Sequence, residues 1–155
     1  MNTYEKLLDE YSHLYIMEDY HFENDSRIKG LYADGVIALS DSLNTTGERS
    51  CILAEEIGHH ETTLGNILET TNFNNRKQEH TARIWAYQKL VSLKQLICAF
   101  HHGCRNIYEF ADYLNVTEPF LLEALEYYRQ KYGTHTTIDE FTFIFYPHLD
   151  IIKKI

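Results

Sequence analysis

The chain has 155 residues, 44% of them hydrophobic and 14% aromatic, which suffices for one buried core and excludes an intrinsically disordered protein. Its formal net charge of -9 at pH 7 repels phosphate backbones, so we expect no direct nucleic-acid partner and favour a basic protein instead. No apolar run approaches the ~20 residues that a bilayer span needs, so we expect no membrane segment.

The amino terminus and the cysteines bear on the cellular compartment. Residues 1–6 lack the basic start and apolar stretch of a secretory signal. Cys51, Cys98 and Cys104 are odd in number and show no Cys-x-x-Cys spacing, which is typical of reduced thiols. We therefore expect a cytoplasmic, single-domain protein, whose oligomeric state the sequence does not reveal.

The first elements are predicted from hydrophobic periodicity and turn residues. Apolar residues recur every three or four positions from Tyr4 to Tyr15, which predicts an opening helix of about 15 residues. Residues 29–39 carry β-branched and aromatic residues around Asp34-Gly35, which predicts a hairpin of two short strands. A polar, turn-rich segment follows.

The later elements are predicted as mostly helical. In chain order they are a helix from Thr46 to about Glu61, a loop over 62–75, a long helix from about Arg76 to Phe100, helices at Ile107–Leu114 and Glu118–Tyr132 with Gly133 as the stop, and a strand within Thr136–Tyr146. This gives an α+β domain with a core at about 30–100, a helical part at about 105–133 and a short tail strand at about 136–146.

The helix beginning at Thr46 carries the most informative pattern. Glu55 and His59 are four residues apart and share one helix face, with Glu56 beside them. A metallopeptidase helix of the His-Glu-x-x-His kind places two metal ligands one turn apart, and a carboxylate that takes a proton from water. Here Glu55 stands at the first ligand position. On spacing alone, a solvated face of two glutamates remains the simpler interpretation.

A third ligand would come from the next helix. Glu79 precedes a stripe of small residues at Ala82 and Ala86, which would let that helix approach the first one closely. Glu79 would then reach the site of Glu55 and His59. His60 is about 100° round the helix from the ligand face, and we interpret it as a spare histidine or one that contacts the ligands rather than the metal.

Together these patterns resemble the ImmA/IrrE family of metallopeptidases. The resemblance rests on the hairpin, the run Leu-Ala-Glu-Glu-Ile-Gly-His at 53–59, and the pattern Glu79-x-x-Ala82-x-x-Trp85-Ala86. It covers residues 30–132 and implies a minimal zincin-like α+β domain, mostly helical with a small antiparallel sheet. It also implies that Glu55, His59 and Glu79 bind a metal and that Glu56 is the catalytic base, with Glu55 replacing the family's first His.

The resemblance further implies a cytoplasmic metallo-endopeptidase of phage or prophage origin, in a bacterial host, acting on a repressor that maintains lysogeny or immunity. Zn²⁺ is the expected metal. Because the set of Glu55, His59 and Glu79 is rich in carboxylate, Mn²⁺ or Fe²⁺ is an alternative, and so is a site without metal. The competing hypothesis is an antirepressor that binds the repressor without cutting it.

Two other patterns suggest function less strongly. Residues 107–121 have the spacing of a helix-turn-helix, but the second helix offers glutamates where base and phosphate contacts need cations or amides, so we favour packing on the core or binding of a protein partner. His101 and His102, near Cys98 and Cys104, match no zinc spacing. We interpret them as the carboxyl end of a helix.

Overall fold

The computed structural model describes residues 1–63 and 72–155. No helix among them is long and apolar enough to cross a membrane. The elements in chain order are α1 (Thr3–Glu10), β1 (Tyr15–Tyr20), β2 (Gly30–Ala33), β3 (Val36–Ser40), α2 (Thr46–Thr62), α3 (Asn72–Leu90), α4 (Leu93–His102), α5 (Ile107–Leu114), α6 (Glu118–Tyr132), β4 (His135–Ile138), β5 (Phe141–Ile144) and β6 (Asp150–Lys153). The predicted α+β class is confirmed.

The opening helix is shorter than predicted. A capping box between Asn2 and Glu5 starts α1, and the helix ends at Glu10. Leu14 is buried but lies outside the helix, and Tyr15 begins a strand paired with β3. Beyond residue 10, Tyr11 and Leu14 are buried against the core but Tyr15 is exposed, and pairing with β3 decides the backbone conformation from Tyr15 onward.

The predicted hairpin is confirmed, with β2 and β3 antiparallel. Asp34 and Gly35 have φ angles of 47° and 79°, as the two central residues of a tight type I′ turn require. The sheet order is β1-β3-β2, and β1 runs parallel to β3. This sheet is therefore mixed rather than antiparallel, because the unpredicted strand β1 joins its other side.

The helix with the Glu-Glu-x-x-His pattern is confirmed almost to its ends. The Thr45 hydroxyl accepts the N–H of Glu48 and caps α2. The next boundary differs from prediction: Thr62 is the last residue of α2, Thr63 caps that helix, residues 72–75 belong to α3, and residues 64–71 of the predicted loop lie outside the described residues. One face of α2, including Leu53, is fully buried.

The predicted long helix 76–100 is wrong, because the chain forms two helices there. α3 ends at Leu90 and α4 starts at Leu93. Ser92 accepts the Gln95 N–H, and the Gln95 side chain accepts the Ser92 N–H. This capping box satisfies backbone donors at a new amino terminus, so the break is favourable despite the continuous apolar spacing.

In the carboxyl-terminal part, the two helices are as predicted, but there are three strands where one was predicted. The bounds of α5 and α6 match, and Gly133 (φ 87°) ends α6. The tail forms an antiparallel sheet in the order β4-β5-β6 instead of one strand. Alternating Phe141, Phe143 and Phe145 are all buried, so this sheet covers the same hydrophobic core as the helices.

Helices α2 and α3 pack closely against each other at Gly58. A Cβ at this position would lie 2.5 Å from the Ala82 carbonyl oxygen, nearer than non-bonded atoms approach. Ala82 and Ala86 on the facing side are fully buried. The predicted small-residue contact between the two helices is therefore present, and it is made by a glycine on one side and alanines on the other.

We predict that Gly58→Ala lowers the free energy of unfolding by about 1 kcal/mol or more. Overpacking costs about 1–3 kcal/mol, and the gain of about 1 kcal/mol in helix propensity offsets only part of it. Urea denaturation measures the change. Gly47→Ala, in the first turn of the same helix, is the matched control, since its Cβ would meet the backbone of Val116 and Asn115 at 3.4 Å or more. Equal stability of the two variants would contradict the prediction.

Candidate active site

The side chains of His59 and Glu79 meet where α2 and α3 pack closely. His59 Nε2 lies 3.1 Å from Glu79 Oε1. His59 is 15% exposed and Glu79 60% exposed, so the pair sits at the edge of the core and opens to solvent. The hydrogen bond to Glu79 raises the pKa of His59, and the same bond lowers the pKa of Glu79.

This pair lines a cavity of about 580 Å³ between the β2–β3 hairpin and the ends of α2 and α3. The lining residues are Gly30, Leu31, Tyr32, Ala33, Asp34, Gly35, Glu56, His59, His60, Thr63, Gln78 and Glu79. Within residues 1–63 and 72–155, strand β2 is at the edge of its sheet, so one wall of the cavity is a strand that no other described strand pairs on that side.

Glu56 lies in the same cavity, pressed against the edge strand. A Cβ at Gly30 would come within 2.6 Å of Ile52 and 3.1 Å of Glu56 Oε1, so only glycine lets β2 lie this close to α2. Desolvation raises the pKa of Glu56 to about 7, although the nearby His59 lowers it. A carboxyl with a pKa near neutrality can both accept and return a proton.

Glu55 faces a second, smaller cavity of about 220 Å³, lined among others by Cys51, Thr117, Phe120 and Glu123. Burial raises its pKa to about 7, Arg83 and His59 lower it, and Glu123 and Glu79 raise it further. Glu55 is thus within the electrostatic range of the His59–Glu79 pair, but it lines a different cavity from Glu56.

His60 is held by Tyr32 across the cavity. Its Nδ1 lies 2.7 Å from Tyr32 Oη, and the Gly35 N–H donates to the same phenolic oxygen at 3.1 Å. His60 therefore forms part of the cavity wall, where the sequence indicated a spare histidine or one that contacts the ligands rather than the metal.

The donor chemistry of this site fits a divalent cation. The imidazole nitrogen of His59 is in contact with a carboxylate oxygen of Glu79. The carboxyls of Glu55 and Glu56, whose pKa values are raised, lie nearby. The positive charge of Arg83 lowers the pKa of both Glu55 and Glu79. A bound cation would offset this concentrated negative charge. Over residues 1–63 and 72–155, no three His, Cys, Asp or Glu side chains are already grouped as a metal site.

Comparison with known families identifies the family of the chain. The model of the Peptidase_M78 family, described as the IrrE N-terminal-like domain, matches residues 9–126. The chain belongs to this family. A metallopeptidase-like domain with a zincin-like α+β fold is thereby established, and the predicted ImmA/IrrE membership is confirmed. No curated protein and no solved structure matches the chain.

The site also contains residues that the Glu-Glu-x-x-His pattern did not single out. Arg83 follows Glu79 by four residues, so helical spacing could have placed both on one face. Tyr32 and Glu123 could not have been found this way, because they reach the site from a strand and from α6. Tyr87 Oη donates to Glu123 Oε2 at 3.0 Å.

The two weaker sequence patterns have structural explanations. α5 and α6 meet at Asn115, whose φ is 56°, and α6 packs on α3 through Tyr87 and Phe120, with ring centroids 5.2 Å apart. His101 and His102 form the last turn of α4 before left-handed Gly103, which confirms that they end a helix.

We predict that metal-free protein loses stability as the pH rises. Glu55 and Glu56 have pKa values of about 7 in the folded chain against an ordinary 4.5. The folded state therefore holds more protons between these values, and the free energy of unfolding falls across that window and levels off above it. Glu55→Gln should remove part of this dependence, on the order of 2 kcal/mol.

Urea denaturation in a chelator, at about pH 5 and about pH 8, measures the dependence. Glu61→Gln is the matched control, since Glu61 is an exposed glutamate of the same helix. If both variants lose stability with pH as steeply as wild type, the Glu55 carboxyl is not desolvated as described.

Proposed function

We propose that this chain is a metal-dependent endopeptidase that cuts a protein substrate in the cavity between the hairpin and α2. The observation that carries the proposal is the His59–Glu79 contact of 3.1 Å with Glu56 in the same cavity. The family match supports peptide hydrolysis as the reaction class.

Each residue of the proposed site has a role that follows from its position. His59 and Glu79 would hold the cation, and Glu55 would be the third ligand after a side-chain adjustment toward the pair. Zn²⁺ suits this set, and the two carboxylates also accommodate Mn²⁺ or Fe²⁺. When bound, the cation would supply a Lewis acid that polarises the scissile carbonyl.

Glu56 would move the proton. With a pKa of about 7, its carboxylate accepts a proton from the attacking water and later donates it to the amine leaving group. Desolvation raises the pKa of Glu56 into this range, and Gly30 of the edge strand lies close to the Glu56 side chain. The hairpin therefore both forms a wall of the cavity and contacts the proposed catalytic base.

We propose a phage or prophage repressor as the substrate, with the protein acting in the bacterial cytoplasm. The family resemblance supports the class of target. The net charge of -9 favours association with a basic, DNA-binding protein and disfavours direct DNA binding.

A second candidate function has one specific observation in its favour. Glu55 occupies a ligand position, yet it lines the cavity with Glu123 rather than the one with His59. A domain that kept the fold and bound the repressor without a complete metal set would act as an antirepressor. The repressor would then be sequestered at full length rather than shortened.

We predict that the purified protein binds one equivalent of a divalent cation and that His59→Ala and Glu79→Ala each weaken binding by at least tenfold, since each removes a ligand. Calorimetric titration with Zn²⁺, together with elemental analysis, measures this. Glu56→Gln should retain the metal because Glu56 is not a ligand. His80→Ala, at an exposed histidine beside Glu79, is the control, and unchanged affinity in His59→Ala would overturn the metal assignment.

We further predict that Glu56→Gln lowers cleavage by about 10²-fold or more, because the amide cannot accept the proton. Repressors of the helix-turn-helix class are incubated with the metal-loaded protein, and fragments are measured by mass spectrometry. Full cleavage by Glu56→Gln would rule out this mechanism. A tight complex with an intact repressor, for wild type and variant alike, would establish the antirepressor function instead.

A further inference from the structure

The hydrogen bonds around His60 favour one tautomer of its ring. Tyr32 Oη already accepts the Gly35 N–H at 3.1 Å, so its own hydrogen is available to His60 Nδ1 at 2.7 Å. A neutral imidazole that accepts at Nδ1 carries its hydrogen on Nε2. Among the described residues, His60 Nε2 has no protein hydrogen-bond partner.

This donor lies in the cavity that holds the hydrolytic groups. Tyr32, Glu56, His59, His60 and Glu79 all line it. The rings of Tyr32 and His60 are 5.4 Å apart in an edge-on arrangement, which restricts rotation of the imidazole. A fixed N–H in the same cavity as a proton-transfer carboxylate suits the stabilisation of negative charge that develops on a carbonyl oxygen.

We propose that His60 is a catalytic residue that donates its Nε2–H to the scissile carbonyl oxygen, and that Tyr32 is the residue that positions it. The inference rests on the proposed peptidase function. As the water oxygen bonds to the carbonyl carbon, the carbonyl π electrons move onto oxygen, where His60 donates. The water proton passes to Glu56 and then to the amine nitrogen as the C–N bond breaks.

The role of Tyr32 is tested without any activity measurement. In protein that is labelled with ¹⁵N-histidine and kept metal-free with a chelator, NMR should show His60 with an unprotonated Nδ1 and a protonated Nε2. Tyr32→Phe keeps the ring but removes the hydroxyl donor, so we expect a mixture of tautomers. A protonated Nδ1 and bare Nε2 in wild type would overturn the inference.

The catalytic role is tested with the internally quenched peptide that metal-loaded wild type cleaves fastest from a randomised library. His60→Ala should lower kcat by about 10²-fold with little change in KM, since one transition-state donor is lost. His60→Gln, which places an amide N–H near Nε2, should recover part of kcat. Tyr32→Phe should lower kcat by about tenfold.

His13→Ala is the matched control, because the exposed His13 ring is 6.3 Å from His60 but does not line the cavity. Thermal denaturation monitors folding of every variant. Unchanged kcat in His60→Ala with an active wild type overturns this inference alone, as does an equal loss in His13→Ala. No cleavage of any library peptide by wild type overturns the proposed function and this inference with it.

Discussion

The contact between Gly58 and Ala82 is the constraint on which the site depends. At this point α3 lies so close to α2 that a Cβ on Gly58 would be 2.5 Å from a backbone oxygen. The neighbouring residue His59 is thereby brought to 3.1 Å from Glu79. Larger side chains at this crossing would separate the helices and pull the imidazole and the carboxylate apart. Packing of two small residues thus sets the distance between two functional ones.

The same close packing concentrates charge where water is partly excluded. Glu55 and Glu56 are desolvated enough for their pKa values to rise to about 7, while Glu79 is held ionised by its bond to His59. Burying carboxylates costs stability unless a cation or a proton neutralises them. The buried carboxyls therefore lower the stability of the fold but can bind a cation and transfer a proton. Such perturbed groups are common at active sites.

Sequence patterns predicted the local elements that are governed by local chemistry. The Asp34-Gly35 turn, the Thr45 cap of α2 and the Gly133 stop all have short-range physical causes, and the elements they bound are as predicted. The errors have two causes. The apolar spacing after α1 continues into a strand because pairing with β3 outweighs periodicity, and the spacing from α3 into α4 crosses a break that the local capping box at Ser92 stabilises.

By itself the sequence determined that Glu55, Glu56 and His59 lie on adjacent turns of one helix and that Glu79 follows on another, because helical spacing is a local property. Only the tertiary structure decided that Glu79 meets His59, that Glu55 lines a different cavity, and that Tyr32 holds His60. These relations depend on how a hairpin and three helices pack together. The spacing of residues along one chain does not encode the distance between two elements, whereas the volumes of the side chains between them do.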